Sequence, residues 1–277
     1  MTINCKGNLI DLNTPKIMGV LNLTPDSFYD GGKYKNQKEI ITQVTQMISQ
    51  GATFIDIGGY SSRPGAEHVS ETEELRRITP IIALLLKEFP EILLSIDTFR
   101  SKIAEECIEF GAALINDISA GNLDVNMMET IAKHQVPYIM MHMKGSPQNM
   151  QQNTHYDNLL IEVMNYFSEK IEAARSKKII DIILDPGFGF SKTIAHNYEL
   201  MENLNILKNT NKPLLVGVSR KSMIYKILET DAKNALNGTT VLNTVALLKG
   251  ANILRVHDVK EAVECVKIIQ QLKTVNT

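Results

Sequence analysis

Eight short apolar runs, each ending on or carrying a polar residue, recur along the chain with helix-like stretches between them. They are IMGVLN ending at Asn22, FIDIGG ending at Gly59, LLSIDT carrying Asp97, and ALIND carrying Asn116 and Asp117. YIMMH ends at His142, IILDPG carries Asp185, LLVGVSRK ends at Lys221, and ILRVHD carries Arg255 and His257. Short, nearly continuous, β-branched runs describe strands buried on both faces, as in a parallel sheet. Their alternation with helical patterns predicts right-handed crossovers throughout. An open doubly wound sheet shows the same alternation. Eight units over 277 residues favour closure into a (β/α)8 TIM barrel, and no Gly-x-Gly-x-x-Gly turn follows the first run. In such barrels the chemistry gathers at the carboxyl ends of the strands, where the polar residues stand.

The length and a 44% hydrophobic composition suit a single domain, residues 1–277, with a full core. A net charge of −2 gives no basic surface for nucleic acid or anionic membrane. Cys5, Cys107 and Cys265 are widely spaced and odd in number, so neither a disulfide framework nor a zinc knuckle is expected, and a reducing cytoplasm fits. Met1 to Asn13 is too polar for a secretory signal. No apolar stretch approaches the roughly 18 residues of a membrane span.

Helix signals fill the gaps. Asn36 and Glu39 form a cap-like pair before the stripe Ile40, Val44, Met47 and Ile48, with Gly51 as the stop. Ser70 and Glu73 form a capping-box pattern, and Pro80 predicts a kink or break. Further helices are expected over 100–110, from Asp124, and over 157–175, 197–208, 221–228 and 237–249; Asp258 and Glu261 cap the last. Two segments, LTPDSFYDGGKY (about 23–34) and YSSRPGAEHV (about 60–69), are long beside the usual βα loop of about 2–6 residues. They are candidate lids over the barrel mouth.

The last two strand ends are basic. Ser219-Arg220-Lys221-Ser222 opens a helix, and Arg255 and His257, two apart, share one side of a strand. Barrels often bind phosphate at this position, and a helix start adds free N–H groups. A phosphate or diphosphate site is the sharp expectation; a surface charge cluster, or Arg255 paired to Asp258, is the plain one. The acidic and amide group, Asp56, Asp97, Asn116, Asp117 and Asp185, suits a ligand presenting several N–H groups, such as an aminopyrimidine. A Mg²⁺ cage and helix capping compete with that. Asn22 is either a magnesium ligand or a turn residue. Met140, Met141, Met143 and His142 fit a packed core, and no His/Cys pair has zinc spacing.

Taken together, MGVLNLTPDSFYDGG, FIDIGGYSSRPG, SIDTFRS, INDIS, MHMKG, DPGFGF, GVSRKS and RVHDV resemble, in order, the pattern of the dihydropteroate synthases, a pterin-binding barrel family. The resemblance runs from about Ile17 to Val259. It implies a folate-biosynthetic transferase in which para-aminobenzoate displaces diphosphate from 6-hydroxymethyl-dihydropterin diphosphate, with Mg²⁺ as cofactor. It implies pterin contacts at Asp97, Asn116, Met141, Asp185 and Lys221. Diphosphate contacts fall on Asn22, Arg255 and His257, with the metal at Asn22. The para-aminobenzoate site falls on Phe28, Ser62, Arg63, Pro64, Phe190, Lys221 and Ser222. Asp97, Lys221, Arg255 and His257 then carry the catalysis, sulfonamides compete with para-aminobenzoate, and a homodimer is expected.

Three positions depart from the pattern: Tyr60 stands where Glu is common, Ser62 where Thr is usual, and Ser191 where Gly is frequent. They bear on lid behaviour and sulfonamide response rather than on the reaction. Two alternatives remain at this point. A lyase or aldolase would use Lys221 as an imine-forming amine. A pterin-dependent methyltransferase would share the acidic contacts but should lack the LTPDSF and SRKS blocks together.

Overall fold

All eight runs become strands of one sheet. The computed structural model describes residues 1–22, 33–60 and 69–274. In chain order the elements begin with β1 (Thr2–Cys5), β2 (Asn8–Asp11), β3 (Lys16–Asn22), α1 (Lys33–Gln50), β4 (Phe54–Gly58), α2 (Glu71–Glu88) and β5 (Leu93–Asp97). Next come α3 (Ser101–Glu109), β6 (Leu114–Asp117), α4 (Met127–His134), β7 (Tyr138–Met141), α5 (Leu159–Ser176), β8 (Ile182–Asp185) and α6 (Ile194–Glu202). The chain ends with β9 (Leu215–Val216), α7 (Ser222–Tyr225), α8 (Leu236–Lys249), β10 (Ile253–Val256) and α9 (Val259–Thr274). Strands β3 to β10 form an eight-stranded sheet in the order β8-β7-β6-β5-β4-β3-β10-β9, with parallel pairing at each step. A parallel bridge between Leu184 and Leu214, with Leu184 N–H donating to the Pro213 carbonyl at 2.9 Å, joins the two edges into a barrel. Closure removes the exposed sheet edges that an open sheet would have to protect.

The barrel interior is layered. At the amino-terminal end Met18, Phe54, Leu114, Ile139, Ile183, Leu215 and Ile253 form an apolar plug. Two residues further along their strands stand Asp56, Asn116, Met141, Asp185 and Arg255, because inward positions repeat every second residue. The polar layer is therefore set by strand period alone. Outside the sheet, a continuous apolar cluster packs the strands against the helices.

The first 13 residues do what the sequence did not announce. β1 and β2 pair as a hairpin through Lys6 and Gly7, both at positive φ (54° and 84°). That geometry suits a two-residue hairpin turn. Ile3, Cys5 and Leu12 are buried against the amino-terminal plug, so the hairpin seals the bottom of the barrel.

Several local expectations change. α1 begins at Lys33, so Asn36 lies inside the helix rather than capping it, while Gly51 terminates the turn at φ 104°. Ser70 accepts Glu73 N–H at 3.2 Å as expected, but α2 runs through Pro80 without a break. Pro80 is exposed, and Ile78, Ile81, Ile82 and Leu85 bury the opposite face. The hydrogen bond lost at Pro80 is thus on the wet side, where water can replace it. Asp124 precedes α4, yet one of its oxygens accepts Ser101 N–H at 2.7 Å, at the start of α3. α6 starts at a Thr193–His196 capping box rather than at Asn197. Asp258 takes a bidentate pair from Arg220, at 2.8 Å on each arm.

Truncating the seal tests its contribution. Leu12→Ala is expected to lower unfolding stability by about 2–5 kcal/mol, the usual range for a buried leucine, read from urea denaturation.

Candidate active site

The polar layer of the barrel converges on one guanidinium. Arg255 Nε donates to Asp56 Oδ2 at 2.7 Å, and its terminal nitrogen donates to Asp97 Oδ2 at 2.9 Å. Asp56 also accepts Ser95 Oγ at 2.5 Å and Asn116 Nδ2 at 3.4 Å. Three neighbouring strands, β4, β5 and β6, thereby aim polar groups at β10 across the lumen. Burial pushes the Asp97 carboxyl up, Asp56 adds to that, and the Arg255 charge opposes it. Gly58 leaves room here, since a Cβ at that position would lie 3.2 Å from the Asp97 Cβ.

A second group faces it from β8 and the start of α7. Asp185 Oδ1 accepts Gly187 N–H at 2.8 Å, and burial raises its carboxyl against the pull of Lys221, Arg255 and Lys192. Lys221, the residue before α7, donates through Nζ to the Phe188 carbonyl. Its ammonium lies 5.0 Å from the Phe190 ring centroid, within cation–π range. Burial lowers its pKa to about 8. Ser222 follows as the first residue of α7 and is half-buried. Met141 and Met143 pack with Ile118, Met150, Phe99 and Phe190 into a small apolar cluster on the mouth side. The mouth thus offers carboxylates, an amide, a lysine and a soft apolar wall, the donor set a flat polar heterocycle needs.

The basic cluster divides. His257 Nδ1 lies 3.0 Å from Ser219 Oγ, which also accepts His257 N–H at 3.2 Å, so the serine sets the ring. Arg220, at φ 56°, turns away to Asp258 and to the carbonyls of Ala232 and Lys233, and so clamps the chain. Arg255 is neutralised by two carboxylates, so acids and bases are interleaved in the lumen rather than separated around it. Asp117 is structural: it accepts Ser119 N–H, Gly121 N–H and Tyr138 O–H within 2.6–2.7 Å. Asn22 ends β3 opposite Gly58. Phe28, Ser62, Arg63 and Pro64, with most of both candidate lids, lie outside the described residues.

The family described as pterin binding enzyme matches residues 18–257. The chain belongs to that family, among its dihydropteroate synthases. It is 40% identical to the Escherichia coli dihydropteroate synthase over 98% of this chain and 96% of the relative. The Yersinia pestis dihydropteroate synthase, solved as a sulfonamide drug complex, superposes with a TM-score of 0.91 at 42% identity, covering 99% of this chain and 100% of the other. The Xanthomonas albilineans enzyme, solved with 4-aminobenzoic acid, gives 0.90 at 34% identity over 98% of each chain.

Two groups beside the site were not legible in the sequence. Lys192 is buried behind the β8 segment. Glu74, fully buried on α2, pairs with Arg100 at 2.5 Å and accepts Thr98 Oγ1 at 2.9 Å. Arg100 also donates to the Val69 carbonyl at 2.7 Å and stacks against Tyr60 and Phe99, 5.3 and 5.2 Å from their centroids. Tyr60, where the family pattern has a carboxylate, therefore still serves as a partner for this cation, through its ring. The signal for Glu74 was a charge at the core-facing position four residues before Ile78. For Lys192 it was a lysine following an apolar DPGFGF run.

Asp56→Ala is expected to destabilise the fold by about 3–5 kcal/mol, because it breaks a buried charge pair and leaves Arg255 under-compensated. Thermal or urea unfolding reads this directly.

Proposed function

We propose that the chain joins para-aminobenzoate to the exocyclic carbon of 6-hydroxymethyl-7,8-dihydropterin diphosphate, releasing diphosphate and forming 7,8-dihydropteroate. The carrying observation is that Asp97, Asn116, Asp185 and Lys221 converge on one lumen lined by Met141, with Arg255 on β10 and His257 just beyond that strand. Asp97, Asn116 and Asp185 would take the pterin N–H groups, with Lys221 at the ring edge. Arg255, His257 and Asn22 would face the diphosphate. Phe190, Lys221 and Ser222, together with Phe28, Ser62, Arg63 and Pro64, would shape the aminobenzoate site. The carbon–oxygen bond breaks with its electron pair leaving on diphosphate, the aromatic amine adds at carbon, and the amine then loses a proton. Positioning and charge stabilisation of the leaving group supply most of the catalysis. Sulfonamides, as analogues of the amine, are proposed to compete at the same place.

Magnesium is the proposed cofactor, held beside the diphosphate. The carboxylates of Asp56 and Asp97 are engaged by Arg255. Among the described residues, the one Asp/Glu/His group with metal-like spacing, Glu105, Glu109 and His134, lies on α3 and α4 outside the lumen. Asn22, at the carboxyl end of β3, is the proposed amide-oxygen ligand, and diphosphate and water would supply the remaining positions, an arrangement Mg²⁺ accepts readily. When bound it would neutralise the leaving group.

A homodimer is the proposed assembly. α8 and α9 pack on each other and leave Val241, Leu248 and Ile268 exposed. All three cysteines are free and buried, which agrees with a reducing cytoplasm, and no helix among the described residues is long and apolar enough to cross a membrane.

Diphosphate release, followed by a coupled assay, is expected to require both substrates and to be abolished by chelation. Lys221→Ala should cost about a hundredfold or more in kcat/KM; unchanged kinetics would overturn the assignment.

Asp97 and Asp185 must both be ionised to accept N–H groups, and their raised carboxyls place the acid limb above the ordinary aspartate value of about 4. The Lys221 ammonium is lost as pH rises through about 8, which sets the basic limb. A bell in kcat/KM between these limits is expected, and Lys221→Met should remove its alkaline side.

A further inference from the structure

Lys192 is the least exposed lysine among the described residues. Its Nζ lies 2.9 Å from His142 Nδ1 and donates to the carbonyls of Gly187 and Phe190 at 3.1 Å each, with the His142 carbonyl at 3.4 Å. Burial and the charges of Lys192 and Lys144 push the His142 imidazolium down to about 2, so the ring is neutral and its nitrogen can accept. One ammonium therefore gathers two stretches of chain: the end of β7, and the segment from β8 to α6.

The far side of that second stretch is the candidate active site. Gly187 N–H holds Asp185, the Phe188 carbonyl holds Lys221, and the Phe190 ring lies against the same lysine. The two stretches touch so closely that a Cβ at Gly187 (φ 72°) would lie 2.1 Å from the His142 carbonyl oxygen. Ser191 ties them a second time. Its φ of 46° is a glycine-like conformation, and its hydroxyl accepts Lys144 N–H at 2.8 Å while its carbonyl accepts Tyr156 O–H at 3.0 Å. That bond offsets the strain of a serine where glycine is frequent.

We propose that Lys192 is a positioning residue for the pterin subsite: from behind the β8 segment it fixes the backbone and the charge balance through which Asp185 and Lys221 meet the ring. This rests on the transferase function proposed above and adds to it a residue with no substrate contact of its own. Burial lowers the Lys192 pKa to about 7; of the charged groups around it, Asp185 opposes that shift and Lys221 and Lys144 add to it. Reciprocally, the Lys192 charge lowers the Asp185 carboxyl.

Lys192→Met keeps the volume and removes the charge and the donors. A loss of about tenfold to a hundredfold in kcat/KM for the pterin diphosphate is expected, the scale of a small misplacement of binding groups. KM for para-aminobenzoate should change less, and the acid limb should move to higher pH as Asp185 loses a neighbouring positive charge. Lys192→Arg should restore the limb. A purely structural lysine would instead lower the active fraction for both substrates equally and leave the limb in place, which overturns the proposal, as do unchanged kinetics. If the Met variant does not fold, NMR of carbon-13-labelled lysine side chains in the unaltered chain decides. Pteroic acid should shift the titration of the buried lysine, and a titration it leaves unmoved counts against the proposal. Absence of diphosphate release by the unaltered enzyme would refute the transferase function itself, separately from Lys192.

Discussion

Arg255 between Asp56 and Asp97 is the interaction on which the site depends. A guanidinium and two carboxylates inside a barrel are stable only if each has partners, since unpaired buried charge costs several kcal/mol. Ser95 and Asn116 complete the set around Asp56. Four strands, β4, β5, β6 and β10, are thereby held in register about a polar centre, above an apolar plug that keeps water from the bottom. Such a centre contributes little net stability; what it supplies is a preorganised field in a cavity of low polarity, where charge on a ligand is felt strongly.

The arrangement also shows how a substrate with a polar ring and an anionic tail could be accommodated without separate acidic and basic regions. Arg255 already bridges the carboxylates, so a diphosphate would compete with Asp97 for it, and the raised Asp97 carboxyl marks how finely that balance is set. Lys221 is poised similarly, with burial lowering its pKa and Asp185 raising it. Several ionisable groups near their switching points in one pocket are the usual mark of chemistry rather than of scaffolding.

Much of the fold was legible locally. Strand residues point in and out with a period of two, so Asp56, Asp97, Asn116, Asp185 and Arg255 could be assigned to strand ends from the pattern of apolar runs. The helix stop at Gly51 was equally local, and that glycine has a positive φ. The hairpin at the amino terminus was not legible, because four-residue strands with one buried face carry too little pattern. Pro80 misled for the opposite reason: the rule that proline breaks helices is local, and packing of the opposite face overrode it.

The sequence by itself determined the order and number of the barrel strands, which residues end them, and, through its ordered motifs, the family. These follow from period, capping and composition, all properties of neighbouring residues. Tertiary structure alone decided which polar residue meets which. Arg255 finds Asp56 and Asp97 across 199 and 158 residues of chain, and Lys192 finds His142 across 50. The Arg255 pairs exist only once β10 lies beside β3, and the Lys192 pair only once β7 lies beside β8, because strand assembly, not local preference, sets these distances. Pairing of β9 with β10 likewise sent Arg220 to Asp258 and left Arg255 facing the ligand site.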